Sequence, residues 1–418
     1  MMKKITFIQI GDVHFQDKKD AHLNDIKDKA VDSDFINNIS PNPFSKVSTE
    51  LVRVIQKMSI SGILLSGDLS SRGCLDSYKA CVDHFVELSE IFTKDEKKIH
   101  VVPGNHDIDR KTAIEGNHGD KFKPFQEIWK KIGLDILKPE EVRTSLIESN
   151  NNKIRFFSLN TCVGCGEVRA LDNLFSTKLL DKLQSEDNEF INELSECLDS
   201  PAVNSQHIGK IEDQIKDDLI TDNVMPIVLA HHGILPQSTL RVAPYTEMMN
   251  GGYVRSVFSS LGHPIVYCHG HIHEDPVEII STPKYINSDL ISISAPEFSD
   301  GFNVIDVHYS SQNVPIGLTV TPYRVTNFGS VRAGELLDVK ISTSINIEEV
   351  CGEDTIYVYK NLPKDEARYS EIVSQFEENK NLMEKLPEIL MELHWAGLIN
   401  VEKNDRKHTF WLIKRNGL

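Results

Sequence analysis

Within the first 270 residues, short apolar runs recur at Ile5 to Ile10, Gly62 to Leu65, Ile99 to Val102, Ile154 to Leu159, Ile227 to Ala230 and Ile265 to Tyr267. Each is too short for a helix and is bounded by Gly, Pro or polar residues, the pattern of strands buried on both faces. Between them, Val47 to Met58 and Tyr78 to Phe92 repeat apolar residues at helical spacing. This alternation predicts an α/β fold with a layered sheet core flanked by helices. After His273 the texture changes to alternating apolar and polar positions over Leu290 to Ile293, Phe302 to Tyr309 and Gly317 to Val325. These segments predict antiparallel strands that complete the same domain. The SNNN stretch at Ser149 to Asn152 predicts a turn.

From about Val331 the pattern is mixed, and Lys364 to Leu398 carries helical spacing, with Pro387 read as lying near the start of the last helix. The closing stretch LPEILMELHWAGLINVEKNDRKHTFWLIK predicts an amphipathic helix, a stop at Gly397, and two short strands around the polar turn Lys403 to Lys407. It resembles the last helix and wing of a winged helix-turn-helix domain. The expected division is a main domain over residues 1–330 and a small α+β C-terminal domain over 331–418. A helical, acidic insertion is expected at about residues 165–205.

A length of 418 residues suits two domains, since single cores seldom grow beyond about 250 to 300 residues. With 40% hydrophobic and 26% charged residues, global disorder is excluded. No apolar run approaches the roughly 20 residues that cross a bilayer, so no membrane association is expected. The opening MMKKITFIQIGDVHF lacks a small-residue cleavage site and reads as a buried strand rather than a signal peptide. Seven cysteines, an odd number without regular spacing, argue against a secreted disulfide framework and for a reducing cytoplasm. Cys162 and Cys165 form one C-x-x-C without a second ligand pair, and this reading treats them as packing.

Lys and Arg number 45 against 62 Asp and Glu, a net charge of -17 that repels polyanions unless positive groups gather locally. Glu167 to Asp222 holds 14 acidic and 5 basic residues, so about half of the excess is local. Asn400 to Leu418 has the opposite balance, with 5 Lys/Arg against Glu402 and Asp405. That end is a candidate docking surface for nucleic acid or an acidic partner. The competing reading packs the helix through Leu390, Leu393 and Trp395 on the main domain or on a second subunit.

Five segments place metal-capable side chains directly after an apolar run. They are IGDVHF (Asp12, His14), LSGDLS (Asp68), VPGNHD (Asn105, His106, Asp107), VLAHHG (His231, His232) and YCHGHIH (His269, His271, His273). Loops at the carboxyl ends of strands in open α/β sheets converge on one crevice, so these groups can meet in space. A lone histidine beside a strand is more often a packed or surface residue, but five such segments together argue for a shared site. No phosphate-binding loop, nucleophile elbow or dinucleotide fingerprint is present, which sets aside nucleotide-driven motors, serine hydrolases and dinucleotide enzymes.

The order D-x-H, G-D, G-N-H-D, H, G-H-x-H resembles the calcineurin-like metallophosphoesterase superfamily over about residues 5 to 325, with every signature position filled. The resemblance implies a layered β-sandwich flanked by helices and a pair of divalent metal ions. Asp12, His14 and His273 would hold one ion, Asn105, His231 and His271 the other, and Asp68 would bridge them. Mixed carboxylate, imidazole and amide ligands suit Mn first, then Fe, Zn or Ni, over Mg or Ca. The implied reaction is hydrolysis of a phosphodiester by in-line attack of a hydroxide shared by the two ions. His106 would protonate the leaving group or stabilise charge, and Asp107 would orient its imidazole. His232 would lie behind the metals or face substrate, His269 would pack behind them, and Arg72 is a candidate phosphate contact.

Within the superfamily, VPGNHD, the SLNT segment at Ser158 to Thr161 and GKIEDQIKDDL at Gly209 to Leu219 are most similar to the cyclic-nucleotide phosphodiesterase branch. The acidic insertion departs from that branch and leaves the substrate, a nucleotide or a nucleic acid, open. The alternative is a nuclease similar to the double-strand-break repair exonucleases, favoured by the tail and opposed by net charge. An inactive scaffold is the third reading, opposed by the complete ligand set.

Overall fold

The computed structural model describes residues 3–15, 43–70, 75–88, 98–114, 119–131, 138, 141–167, 200–221, 223–234, 248–272, 277–281, 289–341, 346–402 and 406–416. His273, Arg72, residues 168–199 of the expected insertion and residues 403–405 of the expected turn lie outside them.

The apolar runs form the strands of two facing sheets. In the first, β1 (Lys3–Ile10) pairs in parallel with β2 (Ile60–Leu65), and β2 pairs in parallel with β3 (Ile99–Val101). On its other side β1 pairs antiparallel with β10 (Gly301–Tyr309), and β10 with β11 (Pro315–Val325). The second sheet runs β4 (Arg143–Ser149), β5 (Asn152–Ser158), β6 (Val224–Leu229), β7 (Ile265–His269), β9 (Leu290–Ser294) and β8 (Val277–Ile280), in that order. The SNNN stretch is the β4–β5 turn, with Asn150 and Asn151 both at positive φ, as a two-residue hairpin matched to strand twist requires.

Side-chain alternation along the second sheet separates two cores. Phe156, Ile227 and Val266 face the first sheet, where Phe156 meets Phe7 edge to face at 5.5 Å. Their neighbours Phe157, Val228 and Tyr267 face outward, under α4 (Ser205–Thr221) and α5 (Gly251–Phe258). Helices α1 (Pro43–Lys57), α2 (Leu75–Leu88) and α3 (Lys123–Lys131) complete the main core, α1 through Val47, Leu51 and Val54 on one stripe. The α/β sandwich expected from the sequence is the architecture found.

Two short strands, β12 (Val331–Ala333) and β13 (Leu337–Lys340), both pair with β11 and belong to the first sheet. The sheet therefore continues past the expected boundary at residue 330, because β11 is 11 residues long and offers edge to both. Beyond it come α6 (Glu353–Asn361), β14 (Ala367–Arg368), α7 (Tyr369–Gln375), α8 (Lys380–Trp395), β15 (Ile399–Glu402) and β16 (Leu412–Arg415). They have their own sheet, β14-β16-β15, and their own apolar cluster around Ile372, Leu386, Leu390 and Leu393.

Helix α8 begins at Lys380, so Pro387 is in its interior and not near its start as the sequence suggested. The Asn379 side chain accepts the Leu382 amide at 3.1 Å and fixes the earlier start, and the helix tolerates one missing hydrogen bond at the proline. It ends at Gly397, whose φ of 73° allows the Leu398 amide to reach back to the Leu393 carbonyl at 3.0 Å. No helix among the described residues is long and apolar enough to cross a membrane.

Candidate metal centre

The five expected segments leave the carboxyl ends of β1, β2, β3, β6 and β7, and the two sheets bring those ends together. The loops are laced by backbone bonds: the His14 amide donates to the Asp68 carbonyl at 2.9 Å, and Gly270 donates to the His231 carbonyl at 3.0 Å. Asp12, His14, Asp68 and His271 all have positive φ, at 47°, 46°, 52° and 72°. Left-handed backbone is uncommon outside glycine and is maintained where surrounding structure over-determines it. At Gly104 a Cβ would collide with the Asp68 carboxylate, and at Gly270 one would lie 2.5 Å from Asp12 Oδ2. Both positions need glycine so that backbone can press against the acids.

Asp68 is at the middle of the cluster. Its Oδ2 is 3.4 Å from His231 Nε2 and 4.0 Å from His14 Nε2, and its Oδ1 accepts the His106 amide at 2.9 Å. Potential ligand atoms of His14, Asp68 and His106 lie within 4.8 Å of one another, as do those of Asp12, Asp68 and His231, so Asp68 belongs to both groups. His231, His232 and His271 form a further group, with His271 donating its amide to both Asp12 carboxylate oxygens at 3.0 and 2.9 Å.

His231 supplies a test of whether these residues suit a cation. Its Nδ1 donates to the Ser66 carbonyl at 2.8 Å, which leaves the lone pair on Nε2. That lone pair faces Asn105 Oδ1 at 2.9 Å as well as the Asp68 carboxylate. Three acceptors converging in a buried space require a positive charge among them, and the donor set fits a divalent metal. A proton on Nε2 is the alternative carrier of that charge. Burial disfavours a charged His231, yet Asp68 and Asp12 lift it to about 10. Burial alone would raise the Asp68 carboxyl, but His231, His106 and His14 hold it well below the usual range.

His106 stands edge-on to His14 with ring centroids 5.0 Å apart and is only partly buried. Asp107 has partners other than those expected. Its carboxylate is fully buried and accepts the amides of Ser70 at 2.8 Å, Gly104 at 3.0 Å and Leu69 at 3.2 Å, with the Ser70 hydroxyl at 3.2 Å. It clamps the Asp68 turn to the Asn105–His106 loop, because buried backbone amides at two tight turns need an acceptor. Burial, with Asp68 nearby, pushes its carboxyl up to about 6 against the pull of those amides.

His232 is fully buried and does not face solvent, with Nδ1 2.9 Å from Thr161 Oγ1. His269 packs behind the centre, Nε2 against Ser292 Oγ at 3.1 Å, and burial pushes it down to about 4. Sequence reasoning missed the Ser66 carbonyl, the amide-clamping role of Asp107, and Gln9, whose Nε2 donates to the His269 and Ile293 carbonyls at 3.0 Å. Backbone partners carry no residue identity, and only the buried polar position of Gln9 inside an apolar strand was a visible signal.

The family model for calcineurin-like phosphoesterases matches residues 5–275. Among solved structures, the chain is similar to the NAD nucleotidase of Haemophilus influenzae, at 11% identity and a TM-score of 0.41, over 91% of this chain and 60% of that one. It is also similar to a 5'-nucleotidase precursor from Thermus thermophilus, at 11% and 0.39, over 88% and 61%. A third is a purple acid phosphatase from yellow lupin seeds, at 10% and 0.41, over 82% and 55%. The chain thus spans under two thirds of the length of each of these structures. No curated protein matches it.

Proposed function

Since the chain belongs to the calcineurin-like phosphoesterase family, we propose that it hydrolyses a phosphoric diester of nucleotide size, using two divalent cations. The observation that carries this reading is the Asp68 carboxylate, shared by two groups of ligand atoms. In this reading Asp12, His14 and His273 hold one cation, Asn105, His231 and His271 the other, and Asp68 joins them, with manganese the first candidate. Bound there, the cations would polarise phosphoryl oxygens and lower the pKa of an attacking water.

The chain's own residues do the rest. The Ser66 carbonyl fixes the His231 tautomer and aims Nε2 inward. Asp107 holds the Asp68 and His106 turns in register by their amides. In this reading His106, partly exposed beside His14, would hydrogen-bond an incoming phosphate ester and give its leaving oxygen a proton. The net charge of -17 favours a small phosphodiester over a long polyanion. For the C-terminal segment, the order helix, strand, helix, helix, strand, strand supports a winged-helix-like unit. The end of α8 packs on the sandwich, with Trp395 against His308 and Ile316.

Manganese-loaded protein assayed in parallel on bis-p-nitrophenyl phosphate, p-nitrophenyl phosphate, cyclic nucleotides, and single- and double-stranded DNA and RNA tests the reading. The expected order is diester over monoester and small substrate over polymer. Preference for polymer with a steep salt dependence would replace it with a nuclease, and no turnover of any ester would overturn it.

A further inference from the structure

The C-x-x-C read from sequence as packing is brought by the fold against a histidine distant in the chain. Cys162, Cys165 and His232 are all fully buried, and one potential ligand atom from each lies within 4.8 Å of the other two. The cysteines are thiols, not a disulfide. We infer that these three residues form an additional cation site of the zinc class, adjoining the phosphoesterase ligands at His232 and built to hold the loop after β5 against the loop after β6.

Three observations carry the inference. The first is the shape of the turn. Cys165 donates its amide to the Cys162 carbonyl at 3.1 Å, Glu167 to the Gly164 carbonyl at 3.2 Å, and Gly166 takes a φ of 72°, which presents both thiols on one side of a closed turn. The second is the clamp beneath it. Lys121, 1% exposed, donates through Nζ to the carbonyls of Val163 at 2.7 Å and Cys165 at 2.9 Å and to Glu167 Oε1 at 2.9 Å. A buried ammonium spent on two carbonyls and a carboxylate fixes the turn in advance of any ligand. The third is His232: Nδ1 is engaged by Thr161 Oγ1, but Nε2 is buried with no hydrogen-bond partner. A buried imidazole nitrogen without a partner needs an explanation, and here two buried thiols beside it make an ion the fitting one.

The chemistry selects the ion. Two thiolates and a neutral imidazole balance the charge of a divalent cation, so the occupied site is neutral where burial penalises charge. Sulfur with nitrogen suits tetrahedral zinc, with the fourth position left to water. Binding displaces the two thiol protons to solvent and breaks the Cys162 Sγ to Pro103 carbonyl contact of 3.3 Å. The groups around Asp68 offer oxygen and nitrogen but no sulfur, so the two thiolates distinguish this site from them. The His232 ring is 4.5 Å from that of His271, and a cation on His232 braces the wall behind that group.

Cobalt spectroscopy on the full chain tests this without reference to activity. Protein stripped of metal and titrated with Co2+ is expected to show a near-ultraviolet thiolate-to-cobalt charge-transfer band whose full intensity corresponds to one sulfur-bound ion per chain and which excess Zn2+ removes. The band should weaken in Cys162→Ser and in Cys165→Ser and vanish in the double variant. Because wild-type protein alone must show it, misfolding of a variant cannot rescue the idea. Cobalt binding without the band, the band undiminished in both serine variants, or a Cys162–Cys165 disulfide in the protein as isolated under reducing conditions would each overturn it. The band reports sulfur only, so it stands or falls separately from the phosphoesterase reading.

Discussion

The Asp107 carboxylate accepts the Ser70 amide at 2.8 Å, and through that bond the acid of one loop sets the turn that carries Asp68. Asp107→Ala removes the acceptor from three buried amides and is expected to cost about 3 kcal/mol or more of stability. It should also lower metal content, since Asp68 loses its fixed position. Denaturant melts with metal analysis check both, and unchanged stability with unchanged metal would show that the clamp is dispensable.

Asp68→Asn should remove more activity than any change of a single ligand on one side. A carboxylate shared by two groups neutralises and spaces both cations at once, whereas a terminal ligand serves one. Turnover on bis-p-nitrophenyl phosphate and metal stoichiometry should fall together. Normal values of both would end the shared-ligand assignment.

His106→Asn should retain bound metal and lose roughly 10²- to 10⁴-fold in rate if the imidazole supplies a proton. The loss should shrink on nitrophenyl esters, whose leaving group departs without one. An equal loss on activated and unactivated esters would point to charge stabilisation instead.

These residues were legible in sequence because ligation and proton transfer demand particular side chains, and the ends of parallel strands are where such side chains gather. The apolar runs located the strands for the same kind of reason, since burial on both faces leaves little else to place there. Other features depend on groups that sequence does not distinguish. Asp107 binds amides that nearly any residue has, and β12 and β13 are short strands that line up one after the other along the edge of β11 opposite β10. His232 meets Thr161 across 71 positions, a separation that only the pairing of β5 with β6 explains.

Acid should loosen the seam between the sandwich and the C-terminal segment. Burial pushes His308 down to about 4, with Lys4 acting alongside and Asp306 opposing, and burial with Lys340 pushes His394 to about 4. Both folded-state values lie below the ordinary value near 6.5, so the unfolded chain binds more protons between the two. Their stabilisation is complete above pH 6.5 and is lost as pH falls toward 4, on the order of 3 kcal/mol each at most. Melts from pH 7 to 4 should show the decline, and His308→Gln should flatten part of it. A variant with the wild-type slope would remove His308 from the account.

The same seam fixes what Trp395 and Gly317 owe each other. The indole stacks on His308 with centroids 4.4 Å apart and lies over Gly317, where a Cβ would come within 2.8 Å of Cζ3 and closer still to Cε3. Trp395→Ala should cost about 3–5 kcal/mol by emptying a buried contact with Ile316 and Val350. Gly317→Ala should cost about 1–3 kcal/mol by forcing the ring away. The two losses share one cause, so the double variant should be less destabilised than their sum, since without the indole the new methyl has room. Chemical denaturation of the four proteins measures this coupling directly, and strict additivity would mean that the ring does not depend on glycine beneath it.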